Sequence, residues 1–452
     1  TGKQPHFRRQ TPQSNSYRVL FLLFLLLAMA FVVRGMQGGQ IVSPFEATPL
    51  PTRTTNSYAS EGMTYFLAGD MQKSINSYNL AVNLEPNRAE IRAELARIQV
   101  YSSGLLPNDA ERKARLEEAL ATIDEAVRVD PENSNAHAVR SLVLDWLADP
   151  VLSGDQATDL LTEAESEAVK ALQLDPQNAL ALAYYAEILV EELRYQQAEQ
   201  YITQALERGP NLMDVHRVRA YVYESTADYE NAILSYQNAI RITPNLTFLH
   251  LSAGLNYRVL ALNATPEQIR DGIQKQYYEA ALEYFEQAVN INSQLGIKDP
   301  LPYIAIAKTY SQMGEALISM RNIRKAVAYN PYNADIYGQM GVIYFRGRNY
   351  DGAIQALKCA VYGCTPEETC EVRQCDPEND PAITITGLPL SSNTVVYYYT
   401  YGSVLAGLHR ETNGYCAEAM KVFGEVRAGF SGDEIIMAII TPSEEICRSY
   451  GY

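Results

Sequence analysis

Residues 56–86, "NSYASEGMTYFLAGDMQKSINSYNLAVNLEP", decide how the rest of the chain is read. Small residues (Gly62, Ser74, Ala81) and aromatic ones (Tyr58, Tyr65, Tyr78) fall at helical spacing on either side of "AGD", and Pro86 closes the segment. Two helices that cross closely need small side chains at the crossing and large ones beside it, and a proline stops the second helix. The stretch therefore predicts an antiparallel helical hairpin. A single hairpin cannot bury its apolar face alone, so its meaning depends on whether it recurs.

It does recur. Ala119, Ile123 and Ala126 precede Pro131, Ala164, Ala168 and Ala171 precede Pro176, and Ala198, Ile202 and Ala205 precede Pro210. Ala232, Tyr236 and Ala239 precede Pro244, and Ser319, Ile323 and Ala326 precede Pro331. Ala281/Phe285/Ala288, Ala353/Leu357/Ala360 and Ala419/Phe423/Val426 repeat the offsets, and Gly254, Gly341 and Gly402 open their units as Gly62 does. Pro176, Pro210 and Pro244 are 34 residues apart, whereas Pro86, Pro131 and Pro176 are 45 apart. The longer units carry "YSSGLLPNDAER" and "ADPVLSGDQATD", and a later one carries "ALNATPEQIRDGIQK". Such insertions belong on helix-connecting loops, where they form contact surfaces.

These residues resemble the tetratricopeptide repeat (TPR) motif, in nine tandem units over 55 to about 433. The resemblance implies an all-α, right-handed solenoid of about nine helical hairpins whose concave face, lined by the first helices, binds proteins or peptides. "DEIIMAII" and "SEEICRSY" then read as a cap over the last apolar face.

Ahead of the array, "VLFLLFLLLAMAFVV" (Val19–Val33) is 15 apolar residues without a charge. At ~1.5 Å per residue it reaches roughly 22 Å, short of a ~30 Å hydrocarbon core, which snorkelling Arg18 and Arg34 extend. A cleaved signal peptide has a similar look; an uncleaved transmembrane anchor is the expectation taken here. Basic residues concentrate before the span, which keeps that side inside and places the remainder outside the cytoplasm, periplasmic or at the cell surface of a bacterium. The expected organisation is a basic cytoplasmic tail at 1–18, an anchor at 19–34 and a Pro-rich linker at 35–54. Repeats then fill 55–361, a Cys-containing insertion 362–394, and a last hairpin with its capping helix 395–452.

The chain has 37 Lys and Arg against 53 Asp and Glu, a net of −16. The five basic residues of 1–45 (Lys3, Arg8, Arg9, Arg18, Arg34) have no acid among them, so the rest carries 32 against 53, a net of −21. Such a body repels phosphate backbones, so no nucleic-acid partner is expected.

All six cysteines, Cys359, Cys364, Cys370, Cys375, Cys416 and Cys447, follow residue 358. Six cysteines in an exported chain suggest disulfides, with 15 possible pairings. We expect Cys416–Cys447 to staple the last hairpin to the cap, and two bridges among the other four. A zinc site is the alternative, but neither C-x-x-C spacing nor a neighbouring His supports it. Tyr362–Asn393 fits no repeat, and its "AITITGLPLSSNTVV" has the pattern of a short β-ribbon; it is read as a braced loop or a docking loop.

No catalytic or metal set is recognisable. His6, His137, His216, His250 and His409 lack paired ligand spacing, "GSVLAG" lacks the lysine of a phosphate loop, and the acids sit on polar helix faces. No cofactor is expected and the chain is not read as an enzyme. Tyrosine is the unusual count, at 32 beside a single Trp. Neighbours on a helix point to different faces. Some of Tyr184, Tyr185, Tyr221, Tyr223, Tyr397 and Tyr399 should therefore face the groove, where a ring with a hydroxyl suits protein recognition. Arg217, Arg219 and Arg258, on first helices, are candidates to grip a carboxylate. The expected work is that of a membrane-anchored interaction scaffold, an accessory or assembly subunit of a membrane complex. The alternatives are a free-standing receptor or chaperone for peptides and, from another class, an enzyme with its site in 362–394.

Overall fold

The computed structural model describes Gly2 and residues 15–37, 53–106, 108–376, 378–412 and 414–452. The basic residues Lys3, Arg8 and Arg9, and the tether prolines Pro44, Pro49 and Pro51, lie outside the described residues. The chain divides into two units, Thr1–Arg53 and Thr54–Tyr452.

The first unit holds α1 (Ser16–Gln37), 22 residues with Arg34 in its last turn. At ~1.5 Å per residue it is roughly 33 Å long. The apolar run alone suggested a shorter reach; helical structure continues through both flanking arginines and supplies the difference. By length and composition α1 is apolar enough to cross a membrane.

In the second unit the helices pair as hairpins. They are α2 (Thr55–Leu67) with α3 (Met71–Leu84), α4 (Ala89–Ser103) with α5 (Asp109–Val129), and α6 (Ser134–Leu147) with α8 (Ala157–Leu174), the last two separated by the single turn α7 (Pro150–Ser153). Next come α9 (Ala179–Glu191) with α10 (Tyr195–Arg208), and α11 (Met213–Ser225) with α12 (Tyr229–Ile242). Helix α13 (Thr247–Leu262) pairs with the long α15 (Ile273–Leu295), with α14 (Pro266–Arg270) between them. The series ends with α16 (Leu301–Gln312) and α17 (Ala316–Tyr329), α18 (Ala334–Arg346) and α19 (Tyr350–Val361), α21 (Val395–Gly407) and α22 (Tyr415–Phe430), and the terminal α23 (Glu434–Ser449). Inserted before α21 are β1 (Gly363–Cys364), α20 (Pro366–Arg373) and β2 (Ile385–Thr386). The fold is an all-α solenoid.

Each hairpin closes as the small residues require. Ala81, Ala126, Ala171, Ala205, Ala239, Ala288, Ala326 and Ala360, all at one offset, are fully buried. Gly62, Gly254 and Gly402 lie so close under the rings of Tyr78, Phe285 and Phe423 that a Cβ would overlap them. Ser74 Oγ donates to the Gly62 carbonyl, and Ser319 Oγ to that of Ala307, both at 2.7 Å.

A second device joins one hairpin to the next. The fourth residue of several first helices bonds the proline carbonyl six residues back: His137 to Pro131 (3.0 Å), His216 to Pro210 (2.9 Å), His250 to Pro244 (2.8 Å) and Tyr337 to Pro331 (2.9 Å). The histidines are therefore joints between repeats.

The first six hairpins curl until the ends meet. Asn245, in the turn before α13, donates from Nδ2 to the Leu67 carbonyl at 3.1 Å, across 178 residues of sequence. Gly69, at φ +85°, sits against the Asn245 carbonyl, where no Cβ fits. Tyr101 stacks on Phe248 with ring centroids 5.3 Å apart. Phe66, Ile75, Leu95, Tyr101, Met213, Tyr236 and Leu249 consequently share one apolar core.

The second half is braced differently. The described cysteines pair Cys359–Cys364, Cys370–Cys375 and Cys416–Cys447, the last joining α22 to α23. In the insertion, β1 and β2 pair antiparallel, Gly363 opposite Thr386 and Cys364 opposite Ile385. Helix α20 was not foreseen; its start is a capping box in which Thr365 and Glu368 bond each other's backbone. Val372, Ile383 and Ile385 anchor the insertion in the core of the last hairpins.

Candidate functional site

The inner face differs between the two halves. In the first half it is filled. Asp214, from the first turn of α11, accepts from Arg97 Nη1 (2.8 Å) and Tyr184 (2.6 Å), and from the Tyr101 hydroxyl. Arg97 also meets Glu94 at 2.5 Å. Arg217 reaches Glu187 through two nitrogens, at 2.7 and 2.5 Å, and lies 5.5 and 5.8 Å from the rings of Tyr101 and Trp146. Arg97, Asp214, Glu187 and Arg217 are each at most 7% exposed. Burial alone would raise the carboxyl of Asp214, but Arg97 and the hydroxyls of Tyr101 and Tyr184 hold it below the usual range. A buried charge needs such a partner, because desolvation otherwise dominates.

From the end of α13 onward the first helices carry cations without ion-pair partners among the described residues. Arg258 lies in the last turns of α13, and its Nε and Nη1 are closed off from solvent with no hydrogen-bond acceptor among those residues. Burial lowers the pKa of its guanidinium. Lys308 follows on α16, its ammonium lowered by burial and then by Arg258 and Arg346, with Asp335 acting the other way. Arg346 ends α18 and is exposed. Asp335 is engaged by the Tyr397 hydroxyl at 2.5 Å and by the Gln339 amide. Leu255 and Phe345 add exposed apolar surface on the same helices.

The residues singled out by sequence therefore divide. Tyr184 and Arg217 are sealed inside, because the curl of the first six hairpins brings α4 against α11 and closes the groove that they would line. Tyr185 packs edge-on against Tyr201 of α10, with ring centroids 4.7 Å apart, and bonds Glu165 at 3.3 Å. Arg219 stacks over Tyr223 (5.4 Å) beside α10, away from the inner face. The Tyr221 hydroxyl donates to Glu191. Tyr397 is buried on Asp335, while Tyr399 is half-buried near Arg346. Arg258 alone of the three arginines has no acceptor among the described residues. Sequence reasoning passed over Lys308 and Arg346; the signal was their place on consecutive first helices. It also passed over Asp214 and Glu187, which neutralise the first half. Among the described residues, no group of three His, Cys, Asp or Glu side chains is arranged to hold a metal ion.

Comparison with known proteins agrees with this architecture. Tetratricopeptide repeat models match residues 186–246, and 55–88 with 273–295. The interferon-induced protein with tetratricopeptide repeats 2 of Cricetulus griseus is 26% identical over 188 residues, 40% of this chain. The match spans only 37% of that protein's length. Human IFIT1, solved as a dimer with PPP-AAAA, superposes with a TM-score of 0.52 at 18% identity, over 89% of this chain and 92% of that one. A thermophilic TPR protein of Thermus thermophilus is 18% identical over 45% of this chain and 98% of its own, with a TM-score of 0.36.

Proposed function

Because the chain is a tetratricopeptide-repeat protein, and such repeats are protein–protein interaction scaffolds, we propose that it holds other proteins beside a membrane without catalysing a reaction. The partners are subunits of a membrane complex, which the open second half engages. The carrying observation is the row Arg258, Lys308 and Arg346, three cations without ion pairs among the described residues, on consecutive first helices of an acidic chain. Unpaired charge beside exposed Leu255 and Phe345 suits an acidic protein segment with apolar neighbours. Helix α1 is the anchor, raising the effective concentration of partners in the same bilayer. The disulfides support an oxidising, extracytoplasmic location for the second half.

The acids of the first half's interior argue against a phosphate ligand there. Asp145, Glu187, Asp214 and Glu224 surround two arginines that are already engaged. We therefore assign no nucleic-acid partner, although human IFIT1 was solved with PPP-AAAA.

The test is to solubilise native membranes in mild detergent and measure the mass and composition of the particle. Stoichiometric partners that dissociate when Arg258, Lys308 and Arg346 are changed to Ala support the reading. A lone particle near 50.4 kDa plus detergent overturns it.

A further inference from the structure

The insertion between α6 and α8 has built a cavity. The α7 turn, through Asp149 and Pro150, roofs a space of ≈ 630 Å³ against Trp146, Glu187, Glu191, Arg217 and Tyr221. Asp145, in the last turn of α6, also lines it. This carboxylate is 8% exposed, and its Oδ1 is shut off from solvent without a hydrogen-bond partner among the described residues.

The other polar groups around the cavity are already engaged. Glu187 holds Arg217 and accepts from Trp146 Nε1 at 3.3 Å. Glu191 accepts from the Tyr221 hydroxyl. Arg112 lies 3.2 Å from Asp109 and 4.0 Å from Asp149. Asp145 Oδ1 is left as the buried oxygen without a partner among the described residues. Burial, then Glu187 and Glu191, raise its pKa well above the ordinary carboxyl value, with Arg217 acting the other way.

We infer that this cavity binds an organic cation, an ammonium or guanidinium group on a short apolar stem, with Asp145 as counter-ion and Trp146 and Tyr221 as aromatic walls. An isolated buried carboxylate is unfavourable, and a cation that enters gives it both a charge partner and a hydrogen bond. Aromatic faces attract the same group, and Leu161 and Ala157 accommodate its stem. An anion would face Asp145, Glu187 and Glu191 together. The ligand is either a free amine or a basic side chain presented by a protein. The site lies in the closed first half, so it stands apart from the groove assigned above.

Trp146 is the single tryptophan of the chain and lines this cavity, so its fluorescence responds to a ligand there without a second tryptophan signal. The full-length protein in detergent would be titrated with butylammonium, N-acetyl-lysine amide, butanol and inorganic phosphate. A saturable change with the two cations, absent with butanol and phosphate, is expected. The tighter of the two cations tells a free amine from a protein side chain. Asp145→Asn, close in shape, should weaken cation binding at least about tenfold, the value of a charge-assisted hydrogen bond. No saturable response to either cation, or the same response to butanol, overturns the inference. That contrast is read on the unaltered chain and does not depend on a variant folding. A folded Asp145→Asn protein with unchanged affinity overturns it as well.

Discussion

Arg217 and Arg258 occupy the same kind of place, on a first helix facing inward, and have opposite fates. Arg217 is clamped by Glu187 beneath two aromatic rings, whereas Arg258 meets no acceptor among the described residues. One repeat unit thus yields both a structural core and an open surface. Curvature makes the difference. Where the solenoid closes on itself, inner-face charges find each other across more than a hundred residues, as Arg97 and Asp214 do. Beyond that closure, at the end of α13 and on α16 and α18, Arg258, Lys308 and Arg346 have no such partners among the described residues.

The sharpest way to break this contrast is to neutralise each arginine in turn. Arg217→Met leaves Glu187 buried without a charge partner and should lower stability by about 3–5 kcal/mol. Arg258→Met removes a buried, unpartnered guanidinium and should leave stability unchanged or raised, while weakening partner capture. Urea unfolding followed through Trp146 and far-UV circular dichroism separates the two. Equal losses in both variants would erase the distinction between the halves.

The next effect concerns how each half is held. Replacing Cys416 and Cys447 by Ser opens a loop of 31 residues and should lower the stability of the last hairpins by about 3–4 kcal/mol. Hydrogen exchange would show faster opening of α22 and α23, with the amides around Trp146 unaffected. The reciprocal change is Gly69→Ala, which places a methyl group inside the Asn245 carbonyl at a positive φ. It should loosen α2, α3 and α13 by on the order of 1–3 kcal/mol and leave α21 to α23 unchanged in the same exchange measurement.

The smallest expected effect is the titration of three buried histidines, His137, His216 and His250. Burial lowers the pKa of His216 and His250 below the ordinary 6.5, and each has a buried Nδ1 without a partner among the described residues. Their neutral form is the folded one, so the stability they contribute is present above pH 6.5 and is lost as pH falls below it. His137 behaves oppositely: its bond to Glu167 raises its pKa, and its contribution grows on acidification. Asp145 and Glu224 in the same half, their carboxyls raised by burial, gain stability on acidification as His137 does, so His216 and His250 are read by difference. A His216→Gln, His250→Gln variant should lose less stability, or gain more, than the unaltered chain between pH 7.5 and 5 in urea unfolding followed through Trp146. A His137→Gln variant should move the other way, because a group that gains stability on acidification is gone.

The repeats were legible because their information is local. Gly62 and Tyr78, or Gly402 and Phe423, lie within one hairpin, and their spacing records the crossing of two adjacent helices. The fate of Tyr184 and Arg217 was not legible, because ring closure depends on small rotations summed over six hairpins. No single residue records that sum. Lys308 and Arg346 were not legible for a simpler reason: tyrosine is the conspicuous surface signal in this sequence, and most tyrosines pack within or between hairpins. The joints at His137, His216 and His250 were visible as a Pro-to-His spacing of six, but histidine was considered only as a metal ligand or catalyst.

The bond between Asn245 and Leu67 also has a mechanical meaning. A pull applied at Thr54 and at the second half need not run along the covalent chain through α4 to α12. The clasp offers a shunt, passing load from the first hairpin to the sixth across the 178 residues it bypasses. The hairpins between them, with the Trp146 cavity, are shielded from tension while the clasp holds, and they bear it only after it breaks.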